Sequence, residues 1–438
     1  MTRAHARGLH VLYVAWGFAP HSGPGVRRQL ATVAELVRQG HRVTVLTADL
    51  ATFDVVIGGD RSLLDDVPEA VRVVRVAMAP RQRDPLVNRW PAARVADPQA
   101  WWDAAQKEQA RAFPEMVYGV WQPRAEAAAT RIHELDPVDL VIATGDPYVD
   151  FSVALRLHVD HGVAFVLDDR DSWLMDVHTG DPSPLAERIQ PWVEFALSEA
   201  LQMWFVNPPI ADWHRHRFPK CADRIRVVEN GWDPHLLDVG SLPAREPGRG
   251  LVYTCVGTVS GSELRLLAEA WRLARAGSPL LAGAQLRVVG LLGDGDGLTD
   301  ERAAIAAEFA ADGLVLTGRE PGDRIGQVYA ESDVLVFLHE GSGMVTPGEV
   351  YECVATGLPV VSVLDPEQDA RRVLSGYPRW HDAIEHSPEG LAQAMLAALD
   401  DEADGVKRHA AAVYYGAARS REAALGPALQ DVVSALAS

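Results

Sequence analysis

The chain has 438 residues, 48% hydrophobic and 23% charged, with a formal net charge of −19 and three cysteines. That length exceeds one ordinary core and predicts two domains, while the apolar content excludes a disordered chain. The acidic surplus excludes a protein whose main task is gripping nucleic acid, which needs a concentrated cationic surface, and the widely spaced Cys221, Cys255 and Cys353 read as reduced core thiols of a cytoplasmic protein.

The opening GLHVLYVAW reads as a strand, GFAPHSGPG as a loop, VRRQLATVAELVRQG as a helix and HRVTVLTA as a second strand, a βαβ unit that packs back on a parallel sheet. The basic residues before the first strand precede an apolar stretch that is short and runs into a glycine turn, so it is not a leader peptide. No uninterrupted apolar run reaches the ~20 residues that span a bilayer. QAWWDAAQKEQARAFPEMVYGVW reads as a core-packing helix pair in preference to a membrane-surface or acceptor-docking face. Strands follow at 139–144 and 163–168, and then at MWFVN and IRVVEN.

Polar, proline-containing sequence at 236–250 reads as a linker, after which the pattern restarts. LVYTCVGTV, QLRVVGLLG, LVLTGR, DVLVFLH and PVVSVL are strands separated by helices at 262–276, 299–311 and 322–330, and by one that opens near 346. The expected domains are 1–235 and 251–415, each a doubly wound Rossmann-like α/β fold, with 416–438 a C-terminal amphipathic helix that could cap either domain, packing back on the first being one arrangement. Ligands of such open parallel sheets bind beyond the carboxyl ends of the strands, so two domains facing a central cleft direct attention to the loops there.

The segment TPGEVYECVATGLPVVSV, residues 346–363, carries the strongest local signal. Thr346 as N-cap, Pro347 at the first helical position and Glu349 three residues after Thr346 form a capping box, which accounts for Glu349 without a ligand. The same helix start, preceded by GSGM with Gly343, offers backbone N–H groups and the positive end of a helix dipole, and a diphosphate fits there. Glu352 lies one turn further on, where its carboxylate can accept from the vicinal hydroxyls of a ribose.

ECVATGLPVV resembles the donor-site signature of the GT4 family of retaining glycosyltransferases with the GT-B fold. GFAPHSGPGVRR, LDDRDSW, RIRVVENGWD and LVLTGREPGDRIGQVYAESDVLVFLH resemble further stretches of that family, so the likeness covers nearly the whole chain. It implies transfer of a sugar from a nucleotide-diphosphate donor, bound by the second domain, to an acceptor hydroxyl of a small natural product or glycan bound by the first. It also implies retained configuration and no need for a metal or cofactor. In this subgroup the loop reads TPG before the helix, and the first glutamate of the usual pair falls on Met344. The arginine and lysine that usually neutralise the leaving diphosphate fall on Thr258 and about Glu263.

The resemblance and the strand ends together select the candidate residues. Gly343, Thr346, Pro347, Gly348, Glu349, Glu352, Gly257, Thr258, Arg265, Gly23 and Gly25 are assigned to the donor, although Gly23 and Gly25 also suit the acceptor. Arg27, Tyr148, Asp169 and Asp171 are assigned to the acceptor, and Arg319, Asp146 and His339 to catalysis. Each has a bland alternative: a surface ion pair for the arginines, an Asp-Pro turn for Asp146 and Tyr148, and a structural contact for His339. DDRD at 168–171 reads as an aspartate–arginine pair shaping the strand end and not as a metal site; GDGDG at 293–297 reads as a turn. Two other activities fit the same nucleotide site, a sugar-nucleotide epimerase of this fold and a catalytically weakened partner subunit.

Overall fold

The structure is a computed structural model that describes residues 8–437 apart from 24, 57–58, 79–85, 116, 235–236, 238–247, 291–299, 319 and 321–323. The chain forms two compact units, Met1–Glu229 with Leu425–Ser438, and Asn230–Ala424.

The first unit holds a seven-stranded sheet, β1 (His10–Val14), β2 (Arg42–Ala48), β3 (Arg72–Val76), β4 (Leu140–Gly145), β5 (Ala164–Asp169), β6 (Gln202–Phe205) and β7 (Ile225–Val227). Its spatial order is β3-β2-β1-β4-β5-β6-β7, and every pairing is parallel. Central strands such as HVLYV and LVIATG are buried at every position, because helices cover both faces of a parallel sheet. Tyr13 lies opposite Val45 on one side and Ile142 on the other, which fixes the register at the centre. The last helix, Arg421–Ala437, places Leu425, Leu429 and Val432 in this core, and Gln39 donates to the carbonyl of Gly426.

The second unit holds six parallel strands, β8 (Val252–Val256), β9 (Gln285–Val289), β10 (Leu314–Gly318), β11 (Val334–Leu338), β12 (Val360–Val363) and β13 (Trp380–Asp382), ordered β10-β9-β8-β11-β12-β13. Glycines close its central strand ends. Gly257 and Gly290 have φ of +135° and +147°, and a Cβ on Gly290 would lie 1.8 Å from the Gly257 carbonyl oxygen, so only glycine fits.

Chain order reverses direction across each sheet, between β1 and β4 in the first and between β8 and β11 in the second. At these switch points adjacent loops diverge to opposite faces and leave a crevice beyond the strand ends. The strands β3 and β13 are additions to the sequence reading, and the linker predicted at 236–250 and the turn at 293–297 fall largely or wholly outside the described residues.

Candidate functional site

In the second unit the loops after β8 and β11 are tied together. Ser260 caps the helix Gly261–Gly277 by accepting from the Glu263 amide, and Glu263 accepts from the Ser260 amide, a complete capping box. The other oxygen of Glu263 accepts from the Glu340 amide at 3.0 Å, and the Glu340 carboxylate accepts from the hydroxyls of Ser260 and Ser262 at 3.0 and 3.1 Å. The Glu263 position, where the resemblance would put a lysine, is therefore occupied by an acid that builds the loop. Arg302 also reaches this loop, donating from Nη2 to the Val259 carbonyl at 2.8 Å.

The helix Gly348–Ala355 follows the second of these loops. The expected Thr346–Glu349 capping box does not form. Pro347 occupies the cap position without a side-chain hydrogen bond, and the buried Thr346 hydroxyl donates instead to Asp369, 2.6 Å away. Asp369 is paired with Arg372, so Thr346 makes a charge-assisted bond, stronger than an ordinary cap. The space where a Gly348 Cβ would sit is open, and Glu349 is turned towards Gly257, its Oε1 3.6 Å from where a Cβ there would lie. One turn on, Glu352 accepts from the Tyr329 hydroxyl at 2.8 Å. Burial pushes the Glu352 carboxyl up to about 7, against the pull of the Tyr329 hydroxyl, with Glu349 adding to the rise. It is partly buried, held by a donor and not sealed in hydrocarbon.

His339 ends beside β11 with its ring folded over Gly341, where a Cβ would lie 2.4 Å from Nε2, and its carbonyl accepts from Gln368. Gly343 is equally confined, since a Cβ there would meet the Glu367 carbonyl oxygen at 2.4 Å. Thr258 lies in the loop after β8, between Gly257 and Ser260. Arg265 is not drawn into this group: it points along the exposed face of its helix towards Glu308 and Glu269. Arg319 lies outside the described residues.

In the first unit the loops after β1, β4 and β5 converge. Arg170 donates from Nε to the Gly145 carbonyl at 2.6 Å and from Nη2 to that of Asp146 at 3.2 Å. Its guanidinium lies against Gly25, where a Cβ would fall 2.4 Å from Nη1. Gly25 thus makes room for an arginine of its own unit, and Gly23 for the His21 ring, 2.3 Å from where its Cβ would be. Behind them Arg28 and Asp168, both buried, form a two-pronged ion pair at 2.8 Å. Arg27 pairs at 2.6 Å with Asp66 instead of reaching the strand ends.

Tyr148 stacks on Trp173 at 5.4 Å, and Trp173 stacks in turn on Phe113 at 5.2 Å. Glu115 accepts from the amides of Tyr148 and Val149 and so caps the helix Val149–His161; burial pushes its carboxyl up to about 8. Asp169 is wholly buried, and neither of its oxygens is in hydrogen-bonding geometry with a partner. Burial, and then Asp171, push its pKa well above the usual carboxylate range, with the Trp173 amide the backbone group near enough to draw it down. Asp171 is exposed beside it, and Asp146, also exposed, lies near Arg170 and Asp171. Among the described residues no three His, Cys, Asp or Glu side chains are arranged to hold a metal ion, and no helix is long and apolar enough to cross a membrane.

The sequence reading missed Arg170, Arg302, Tyr329 and Glu115 as parts of these groups. The capping box at Ser260–Glu263 was legible as S-x-x-E before an apolar helix. The other contacts join residues far apart in sequence, and no local pattern announces them.

The segment 250–401 matches the family described as glycosyl transferases group 1. No curated relative matches the chain in sequence. Among solved structures, a glycosyltransferase from Rickettsia africae ESF-5 aligns at TM-score 0.63 and 14% identity, covering 98% of this chain and 99% of that one. Sucrose-phosphate synthase from Thermosynechococcus elongatus aligns at TM-score 0.62 and 16% identity over 98% and 100%. The Anabaena protein HepE in complex with UDP aligns at TM-score 0.60 and 15% identity over 97% and 99%. The chain therefore has the GT-B fold of two Rossmann-like α/β units, with the glycosyl transferases group 1 match falling within its second unit.

Proposed function

We propose that the protein is a retaining glycosyltransferase of the GT4 type, which moves a sugar from a nucleotide-diphosphate donor to an acceptor hydroxyl. The second unit takes the nucleotide and the first takes the acceptor. One observation carries this reading: the open helix start at Pro347–Gly348 lies one turn before a carboxylate, Glu352, whose orientation is set by the Tyr329 hydroxyl. First-turn amides suit a diphosphate, and a carboxylate at that distance suits the two ribose hydroxyls. The group 1 match lies over this unit, and the similarly folded HepE is a UDP complex.

Loss of the nucleotide leaves negative charge on the distal phosphate. Preorganised N–H groups at the helix start stabilise that charge without reorganising, and one such donor typically contributes ~3 kcal/mol to the barrier. Arg302, fixed to the loop after β8, is our candidate for the cation that replaces the family's arginine and lysine. His339 and Gly343 hold the shape of the loop that leads into the helix.

Calorimetric titration with UDP, GDP and dTDP tests the nucleotide assignment, and failure to bind all three would overturn it. Anomeric configuration of the product from UDP-glucose, read by NMR, tests retention. The acids at Glu263, Glu340 and Glu349 in the donor loops favour one competing reading, a nucleotide-binding subunit with little turnover of its own. Tight binding without transfer to any acceptor would support it. Epimer formation in the absence of an acceptor would support the epimerase.

A further inference from the structure

Three helices of the first unit, Gln122–Leu135, Val149–His161 and Ala186–Glu199, leave a groove of about 350 Å³ between them. That volume falls within the range of small-molecule sites. Leu155, Val159, Pro191, Trp192 and Phe195 give the groove apolar walls. Two of these side chains are left to solvent, Val159 at 65% and Phe195 at 39% exposure.

The polar residues of the lining are already engaged. Gln122 donates to Glu126 at 2.9 Å, Ser152 donates to the Val149 carbonyl at 2.7 Å, and Arg156 is ion-paired with Asp160 at 2.7 Å. Burial pushes the Glu126 carboxyl upward, which marks the groove as a poor place for a charge. What the lining leaves unmet is apolar surface, and this gains from contact with hydrocarbon and not from the hydroxyls of a sugar.

The groove adjoins the aromatic ladder at the strand ends. Trp192 lies edge-on to Phe113 with ring centres 5.0 Å apart and is tilted against Trp173 at 6.4 Å, while Trp173 stacks on Tyr148. Gln122–Leu135 leads into β4 and Val149–His161 leaves it, so Gln122 and Ser152 mark the end of the groove nearest the loop after β4.

We propose that the acceptor is an amphiphile, whose hydroxyl-bearing head lies at the ends of β4 and β5 and whose hydrocarbon chain lies in the groove between these three helices. This rests on the reading that the first unit binds the acceptor, and it adds the chemical class. A second copy of the chain is the poorer occupant. A stable protein interface buries ~800 Å² on each partner, whereas here two exposed apolar side chains stand among the charged Arg156, Asp160 and Glu199. A hydrocarbon chain needs only the length of the groove.

Titration of the full chain with n-octyl β-glucoside and methyl β-glucoside, below the concentration at which the octyl compound forms micelles, tests the assignment. The heads are identical, so the difference reports the chain. The octyl glucoside should bind at least ~30-fold tighter, as burial of about two to three methylenes gives. Phe195→Glu and Val159→Glu, both at exposed positions, should each reduce this preference ~5-fold, and the two together should abolish it. If Phe195→Glu does not fold, Val159→Glu decides. Equal binding of the two glucosides, failure of both to bind, or a preference that survives the substitutions overturns the proposal. Dimers that Phe195→Glu dissociates would give the groove to a second copy and overturn it equally. UDP titration of the same protein reports the second unit separately. UDP binding without a chain preference sinks the groove assignment alone, and a chain preference without nucleotide binding sinks the transferase reading alone.

Discussion

The two sheets reverse direction in the same way, yet their switch points end in opposite states. In the second unit four acids at or near these loops have partners: Glu263 holds two amides, Glu340 two hydroxyls, Asp369 a threonine and an arginine, and Glu352 a phenol. In the first unit the acids at the strand ends divide. Asp168 and Glu115 are fully engaged, while Asp169 is buried with neither oxygen bonded. Topology thus fixes where the strand-end loops gather and not whether the polar groups there are satisfied. The second unit is preorganised, and the first stores an unsatisfied group, the usual mark of a place where stability has been given up for function.

The largest effect should come from the engaged acids of the first unit. Arg28→Ala leaves Asp168 charged and buried, and breaking such a pair costs ~3–5 kcal/mol. Urea unfolding followed by fluorescence should show an early transition for the first unit, resolved from the second because two units need not unfold together. A loss below ~1 kcal/mol would mean that Asp168 finds another partner. In the second unit Glu352→Ala should weaken UDP binding ~30-fold, the loss of about 2 kcal/mol of hydrogen bonding to a charged group. Glu349→Ala should cost less than ~3-fold. Equal effects would reverse the assignment of the two glutamates.

The same site carries a pH signature. With the Glu352 carboxyl pushed up to about 7, the ionised form that accepts both ribose hydroxyls gains population as pH rises. UDP affinity should therefore climb from about pH 6 to about pH 8. Tyr329→Phe removes a donor that favours the ionised form, so the midpoint should move to higher pH. A flat profile in the wild-type protein would mean that Glu352 does not meet the ribose.

Much of this arrangement was legible in the sequence. Central strands such as VLVFL are short apolar runs buried on both faces, and period and turn residues identify them directly. The edge strands β3, RVVRV, and β13, WHD, were not found, because a half-covered edge tolerates polar residues and loses the apolar run. The helix after β11 was expected where it is found, but its start was misjudged at Thr346. The N-cap rule counts only local partners, and Asp369 competes from 23 residues away. Likewise Arg27 is an isolated cation in sequence and a surface ion pair in the fold. What the sequence conceals is the state of polar satisfaction, since that depends on groups that meet only after folding.

The smallest predicted effects on stability bear most directly on the contrast between the two switch points, because they should differ in sign. Glu263→Ala removes the acceptor of the Ser260 and Glu340 amides and should destabilise the second unit by roughly 1–2 kcal/mol, the cost of a lost cap and an orphaned amide. Asp169→Asn should instead stabilise the first unit, by about 1 kcal/mol at neutral pH, because the amide need not hold a proton or a charge in the interior. The sign follows from linkage. A carboxyl whose folded pKa lies above its unfolded value of about 3.9 favours the fold fully below that value and loses this contribution as pH rises towards the folded pKa. The advantage of asparagine should accordingly be absent near pH 4 and grow towards pH 7, as thermal unfolding across that range would show. If Asp169→Asn destabilises the protein as Glu263→Ala does, Asp169 is a structural acid with a partner of its own, and the two switch points are alike after all.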